Sequence, residues 1–116
     1  MSKRKQGELE AEVLGCLWDR PDGLSSQQIL ALLGDDSFAV TTVLTVLSRL
    51  TDKGLVTRVP GSGRTLIFKA VLSREEHTAK LLLEAMGESN PALVFSHFAG
   101  GLSAKQLEQL RKALGQ

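Results

Sequence analysis

Residues 40–50 constrain the fold of this 116-residue chain more than any other segment, because their composition and their periodicity disagree. Valine and threonine fill six of the eleven positions, and these β-branched residues favour strands. A half-buried strand needs strict alternation of polar and apolar residues, which fails at Thr41-Thr42 and at Val46-Leu47. The helical period of 100° per residue instead predicts an amphipathic helix over about residues 38–53, ended by Lys53-Gly54.

This helix has two distinct arcs. The polar arc carries Thr41, Thr42, Thr45, Ser48, Arg49 and Asp52, and the apolar arc carries Val40, Val43, Leu44, Val46, Leu47 and Leu50. We expect the apolar arc in the core and the polar arc on the surface. A polar arc is either merely solvated or a contact surface for a partner, and the neighbouring elements decide between the two.

Two shorter helices are predicted before this one. Apolar residues recur at helical spacing over about residues 8–19, and Pro-Asp-Gly at residues 21–23 ends the pattern. Ser25 followed by Gln28 is a capping box, which starts a second helix, and Gly34 provides its end. The chain therefore begins with three successive helices.

A β-hairpin is predicted after the third helix. Two strand-like runs, residues 55–59 and 65–71, flank the sequence Pro-Gly-Ser-Gly-Arg at residues 60–64, which is expected to form a flexible, basic tip. Three helices followed by a hairpin form a winged helix-turn-helix, whose third helix lies in the DNA major groove and whose hairpin tip reaches the backbone or minor groove. The predicted fold class is mainly α with a small β-hairpin.

The remaining residues predict further helices with exposed apolar stripes. Helix-start signals occur at residues 73, 90 and 103, and Gly100-Gly101 is expected to end the middle helix. The leucines expected to join two copies of the chain are Leu81, Leu82, Leu107, Leu110 and Leu114. We thus predict a DNA-binding domain over residues 1–72 and a C-terminal helical dimerisation region over residues 73–116. Packing of these leucines back onto the first domain is the alternative.

The distribution of charge favours a polyanion as partner. Residues 37–72 hold five basic residues and one acidic residue, although the whole chain has a net charge of only +1. Threonines early in the third helix can contact base edges, while arginine and lysine bind phosphates. The predicted DNA-binding residues are Thr41, Thr42, Thr45, Ser48, Arg49, Lys53, Ser62 and Arg64. Asp52 is expected to point away from phosphates or to pair with Lys53, and the glycine-rich tip could equally be a plain turn.

Other functions find little support in the sequence. No apolar run suits a membrane span or secretory signal, so we expect a cytoplasmic protein without membrane insertion. Cys16 is the single cysteine and His77 and His97 stand apart, so no disulfide, metal or cofactor is expected. No catalytic arrangement is recognisable, so the chain is not expected to be an enzyme. A winged helix that binds only another protein, without DNA, is the competing interpretation.

Residues 41–58 read TTVLTVLSRLTDKGLVTR and are followed by a Gly-Arg turn and Phe68, with Glu12-Val13-Leu14 and Trp18 upstream. Together with the closing LSAKQLEQLRKAL, this pattern resembles the penicillinase-repressor (BlaI/MecI) family of bacterial winged-helix regulators. The resemblance implies a homodimer, joined by its C-terminal helices, that binds a dyad operator of double-stranded DNA. It also implies repression of transcription, often of β-lactamase or related genes.

The resemblance further implies a membrane-bound sensor protease as a partner. Such a protease cuts family members at an Asn-Phe bond near the dimerisation helices. The comparable stretch here is Ser96-His97-Phe98, so His97 and Phe98 flank the corresponding bond and the asparagine is missing. Copper-responsive relatives carry paired cysteines near the C-terminus, which this chain lacks, so the resemblance implies no metal.

Overall fold

The computed structural model describes residues 6–34 and 39–116, which form six helices and one antiparallel hairpin. The elements are α1 (Gln6–Trp18), α2 (Ser26–Leu33), α3 (Val40–Asp52), β1 (Val56–Pro60), β2 (Leu66–Ala70), α4 (Arg74–Met86), α5 (Pro91–Gly101) and α6 (Ala104–Ala113). This order confirms the predicted fold class. The predicted start of α3 at about residue 38 lies outside the described residues.

Hydrogen-bonded caps fix where three of the helices begin. At α2, Ser25 Oγ accepts a bond from the Gln28 amide (3.2 Å), and Gln28 Oε1 accepts one from the Ser25 amide (2.8 Å). Gly34 ends α2 with a φ of 64°, a left-handed conformation that glycine adopts without steric cost. The predicted capping boxes of α4 and α6 are closed in the same reciprocal way. These caps locate the helix starts because they satisfy amides that have no partner within the helix.

The chain divides into two compact units, Met1–His77 and Thr78–Gln116. The first unit encloses a core formed by α1, α2, α3 and the hairpin. Its buried hydrophobic residues are Leu9, Val13, Leu14, Leu17, Leu24, Ile29, Val43, Val46, Leu47, Leu50, Leu55, Val56 and Phe68. α3 supplies four of these at helical spacing, so its apolar side is held inward and the rotation of the helix about its own axis is fixed.

The hairpin is joined to the helices by the main chain. β1 and β2 pair in antiparallel register from Val56 opposite Ala70 to Pro60 opposite Leu66. Leu24, between α1 and α2, adds a short bridge through two hydrogen bonds with Phe68 (3.0 and 2.8 Å). The sequence did not predict this bridge, because Leu24 was interpreted only as one half of a hydrophobic staple. The bridge ties β2 to the region before α2 and so limits how far the hairpin can move relative to the helices.

The first turn of α4 belongs to the first unit because it packs on Trp18. The indole Nε1 donates a hydrogen bond to the Leu72 carbonyl oxygen (3.0 Å). The Arg74 guanidinium lies 4.7 Å from the centroid of the Trp18 ring, and the His77 ring lies 5.5 Å away. The division between units therefore falls after His77, five residues beyond the predicted domain boundary at 72.

The second unit contains the rest of α4 together with α5 and α6. None of the side chains of residues 78–116 is buried. α5 continues through Gly100-Gly101, contrary to the expectation that these glycines end it. The stop is set instead by Leu102, whose extended backbone leads directly into the Ser103 cap of α6. Leu114 lies just beyond the end of α6, as its C-cap.

Candidate nucleic-acid interface

The outer face of α3 presents the predicted hydroxyl and guanidinium groups to solvent. Thr41, Thr45, Ser48 and Arg49 are exposed, and Thr42 is half-buried. Because the opposite face is part of the core, these side chains cannot be turned inward without unpacking the first unit. This face can therefore contact a surface as broad as a DNA groove.

Leu44 is a correction to the predicted arcs. The helical period assigned it to the apolar side, but its side chain is 42% exposed, and Val40 is only half-buried. Leu44 lies at the edge of the apolar arc, where the core ends and the side of the hairpin begins. Its exposure makes it part of the surface rather than of the core.

The hydroxyl of Thr45 is already engaged within α3. Thr45 Oγ1 donates to the Thr41 carbonyl oxygen (2.9 Å), one turn earlier in the helix. This bond uses the single hydroxyl proton and leaves the oxygen able to accept. In this rotamer, Thr45 offers a partner an acceptor and a methyl group, but no donor.

The N-terminus of α3 is suited to an anion. Its cap, Ala39, is extended and has no side chain that could accept a hydrogen bond from the first turn. The Thr42 amide donates to the Ala39 carbonyl (3.0 Å), but the amides that precede it have no carbonyl one turn earlier in the helix. Such amides and the helix dipole favour a phosphate oxygen.

Lys53 differs from the other predicted phosphate-binding residues. Its Nζ lies 2.7 Å from Glu10 Oε1, which ties the end of α3 to α1. The Glu10 side chain is only 11% exposed, whereas that of Lys53 is 54% exposed. The structure therefore pairs Lys53 with Glu10 and not with Asp52, the neighbour considered from the sequence. A phosphate would have to compete with this carboxylate for the ammonium group.

The predicted tip between β1 and β2 is a hydrogen-bonded turn. The Gly61 amide donates to the Thr65 carbonyl (2.7 Å), and the Thr65 amide donates to the Ser62 carbonyl (3.2 Å). Gly63 has a φ of 64°, which disfavours a larger residue, and Ser62 and Arg64 are exposed. The turn thus presents a hydroxyl and a guanidinium group from a defined backbone.

A cleft of about 290 Å³ lies between α3 and the hairpin. Its lining residues are Leu44, Ser48, Thr51, Asp52, Arg58, Leu66 and Phe68. Sequence reasoning counted Arg58 in the basic segment but did not include it in the predicted site. The available signal was its position on β1, two residues before the tip and outside the buried end of the strand.

Three arginines of this region are free to bind an external anion. Among residues 6–34 and 39–116, Arg49, Arg58 and Arg64 have no ion-pair or hydrogen-bond partner. All three are exposed. Because guanidinium groups bind phosphate oxygens in a bidentate manner, these side chains are suited to the DNA backbone.

The remaining candidates for chemistry are quiet. Burial raises the pKa of the Cys16 thiol above its ordinary value, and the nearby carboxylates of Asp19 and Glu12 raise it further, so the residue stays a neutral thiol. Within the part of the chain that the structure describes, no cluster of His, Cys, Asp and Glu could hold a metal ion. Likewise, none of the described helices is long and apolar enough to cross a bilayer.

The penicillinase repressor family matches residues 6–116 of this chain. The chain belongs to that family. The transcriptional regulator BlaI of Mycobacterium tuberculosis is 34% identical to this repressor over 117 aligned residues, which cover 95% of this chain and 83% of the relative. Membership makes the chain a DNA-binding transcriptional repressor, the function that the helix order and the polar face of α3 predict.

Solved structures support the fold of the repressor. A variant of ZitR from Lactococcus lactis has a TM-score of 0.51 at 15% identity, covering 99% of this chain and 75% of that one. MarR from E. coli, in its apo form, has a TM-score of 0.50 at 17% identity, covering 92% and 74% of the two chains. At these identities the likeness concerns the arrangement of helices and hairpin only.

Proposed function

We propose that this repressor acts as a homodimer that blocks transcription by occupying a dyad-symmetric operator. The observation that carries the proposal is the exposed polar face of α3, held outward by the four buried residues on its other side. Each α3 would lie in a major groove, and each hairpin tip would reach the adjacent backbone or minor groove. The two half-sites would be about 34 Å apart, or a multiple of that helical turn. Because an operator is chromosomal, we place the repressor in the cytoplasm.

The polar face suggests a division of roles. Thr41, Thr42 and Thr45 lie in the N-terminal half of α3, the part of a recognition helix that usually reaches base edges. Arg49, one turn further on, is assigned to a phosphate. Ser48 lies between these groups, so it can contact either a base edge or the backbone. Lys53 contributes only if a phosphate displaces Glu10 from its ammonium group.

The hairpin tip adds a second point of contact. Arg64 supplies an unpaired guanidinium group, and Ser62 a small hydroxyl, on a turn whose backbone is held by two hydrogen bonds. The glycines of the tip allow the backbone to approach the duplex closely. We therefore assign Ser62 and Arg64 to the DNA backbone or minor groove.

The second unit supports a homodimer. Leu81, Leu82 and Leu114 are exposed, while Leu107 and Leu110 are half-buried. The same unit also exposes Leu93, Phe95 and Phe98, which the sequence had placed on α5 without assigning them a partner. Exposed apolar surface on this scale marks an interaction site. A second copy of the chain offers the same surface and satisfies both copies by two-fold symmetry.

Measuring affinity against salt concentration tests the proposal. We expect Arg49→Ala and Arg64→Ala each to lower the slope of log affinity against log salt by ~0.9 on any duplex, because each removes one phosphate contact. Arg20→Ala, an exposed arginine at the end of α1, is the matched control and should leave the slope unchanged. Slopes of Arg49→Ala and Arg64→Ala equal to that of the wild type would refute the phosphate assignments.

Substitutions at Thr45 test the base contacts. Thr45→Val keeps the shape but removes the accepting oxygen, whereas Thr45→Ser keeps the oxygen and removes the methyl group. We expect both variants, and Thr42→Ala, to alter sequence preference by about tenfold per affected base pair without changing the salt slope. Thr57→Ala, an exposed threonine of β1, is the control. Unaltered preference in all three variants would favour a protein-interaction module over an operator-binding repressor.

The regulated genes and the sensor protease belong to this proposal as well. β-Lactamase or related genes are the proposed targets, and recovery of bound genomic fragments checks them. His97 and Phe98 lie in the middle of α5, and both are exposed. A protease that needs an extended substrate would have to unwind α5 to cut between them. Mass spectrometry of the chain from induced cells should show a fragment ending at His97, and an intact chain would rule out this bond.

A further inference from the structure

The duplex itself dictates what lies between α3 and the hairpin tip. The major and minor grooves of B-DNA are separated by one sugar–phosphate backbone. A protein that places a helix in one groove and a hairpin tip in the next must therefore straddle that backbone. The cleft between α3 and the hairpin is the part of this molecule that would face it.

The chemistry of the cleft fits a sugar–phosphate backbone. Arg58 supplies an exposed cation without a partner among the described residues, and Ser48 adds a hydroxyl group. Leu44 on α3 and Leu66 on β2 are each 42% exposed and line the same cleft. A deoxyribose presents apolar C–H groups beside its charged phosphate, so a cation flanked by exposed leucines matches both parts of the backbone.

Asp52 gives the cleft a preferred side. Its carboxylate lines the cleft but repels phosphate, so a phosphate is expected to approach through Arg58 and Ser48. Arg58 lies directly opposite Phe68 in the hairpin register, and Phe68 is buried in the core and bonded through its main chain to Leu24. The strand that carries Arg58 is therefore anchored, which lowers the entropic cost of holding a backbone there.

We propose that the cleft between α3 and the hairpin seats the DNA backbone that divides the two grooves, with Arg58 as a phosphate-binding residue and Leu44 and Leu66 packed on the adjoining sugar. This inference rests on the proposed function, because it assumes that α3 and the hairpin tip occupy neighbouring grooves. It adds a binding element that lies between the two sites predicted from the sequence.

The test uses the full-length chain and a duplex of about 30 base pairs, ~three helical turns, selected by the wild type as its tightest binder from a random pool. Arg58→Ala should weaken binding about tenfold and lower the salt slope by ~0.9. Leu44→Ala should weaken binding a few-fold with the wild-type slope, because it removes apolar contact and no charge. Asp52→Asn should raise affinity, and Arg20→Ala is the control. Circular dichroism confirms that each variant is folded.

Ethylation of single phosphates locates the contact. In the wild type, one or two ethylated phosphates per half-site, on the backbone between the two grooves, should interfere with binding. The same positions should no longer interfere with the Arg58→Ala variant. An Arg58→Ala variant with the wild-type slope and ethylation pattern overturns the inference, as does a change of slope in Leu44→Ala. A wild-type chain that enriches no sequence from the pool overturns the proposed function itself, which separates the two failures.

Discussion

The two units of this repressor solve the burial of apolar surface differently. The Met1–His77 unit encloses thirteen buried hydrophobic residues, and its exposed outer face on α3 is polar. The Thr78–Gln116 unit, by contrast, buries none of its side chains and exposes several leucines and phenylalanines. Because exposed apolar area lowers stability in water, the first unit has the core of an independent domain and the second does not. The difference implies that the first unit supplies recognition and the second supplies assembly.

The sharpest way to break this comparison is to place a charge on the second unit. Leu82→Lys should weaken dimerisation by about 4 kcal/mol, ~10³-fold in Kd, because the two-fold axis repeats each lost leucine contact. Leu32→Lys is a matched control, since Leu32 is 50% exposed and Leu82 is 52% exposed, but Leu32 lies in the first unit. Sedimentation equilibrium measures both. A Leu82→Lys chain as dimeric as the wild type would assign these leucines to some role other than assembly.

The next largest effect tests the core of the first unit. Leu47→Ala should lower the free energy of unfolding by about 3 kcal/mol, because Leu47 is fully buried and its removal leaves a cavity. Leu44→Ala, on the same helix but 42% exposed, should cost much less. Urea denaturation of the two variants gives the difference directly. Equal costs at the two positions would mean that α3 is rotated relative to the packing described above.

The contrast between Leu44 and Leu47 also shows how far the sequence could lead. Helical period alone identifies the buried side of α3, because each residue advances by a fixed angle. It cannot identify where the hairpin covers that side, since this depends on tertiary packing. The bridge of Leu24 to Phe68 and the ion pair of Lys53 with Glu10 likewise join residues more than forty positions apart. Local signals such as capping boxes were predictable, whereas the cleft beside Arg58 required the assembled first unit.

A smaller effect is expected where the first turn of α4 packs on α1. Trp18→Phe removes the indole N–H that donates to the Leu72 carbonyl and weakens the contact with the Arg74 guanidinium. We expect a loss of about 1 kcal/mol of unfolding free energy, with dimerisation unchanged, because the contact lies within the first unit. Urea denaturation and sedimentation measure the two quantities. A loss of dimerisation without a loss of stability would assign Trp18 to the assembly surface instead.

The smallest expected effect is confined to the capping box of α4. The Ser73 amide and hydroxyl stabilise the Glu76 carboxylate and hold its pKa below the ordinary value of 4.5. A lowered pKa in the folded state contributes stability above pH 4.5, and this contribution is lost as the pH falls through the lowered value. The boxes of α2 and α6 use Gln28 and Gln106, which do not titrate, so they serve as internal controls.

NMR titration of the amide protons tests this prediction at single residues. The Ser73 amide should shift with a midpoint below pH 4.5, as its acceptor gains a proton and the hydrogen bond weakens. The amides of Ser25 and Ser103 donate to glutamine oxygens and should show no such transition. Glu76→Gln should abolish the transition at Ser73 while keeping the bond itself, because glutamine retains the accepting oxygen. A midpoint at or above 4.5 would mean that the charge of Glu76 does not stabilise the start of α4, and the joint between the units would then be insensitive to acid.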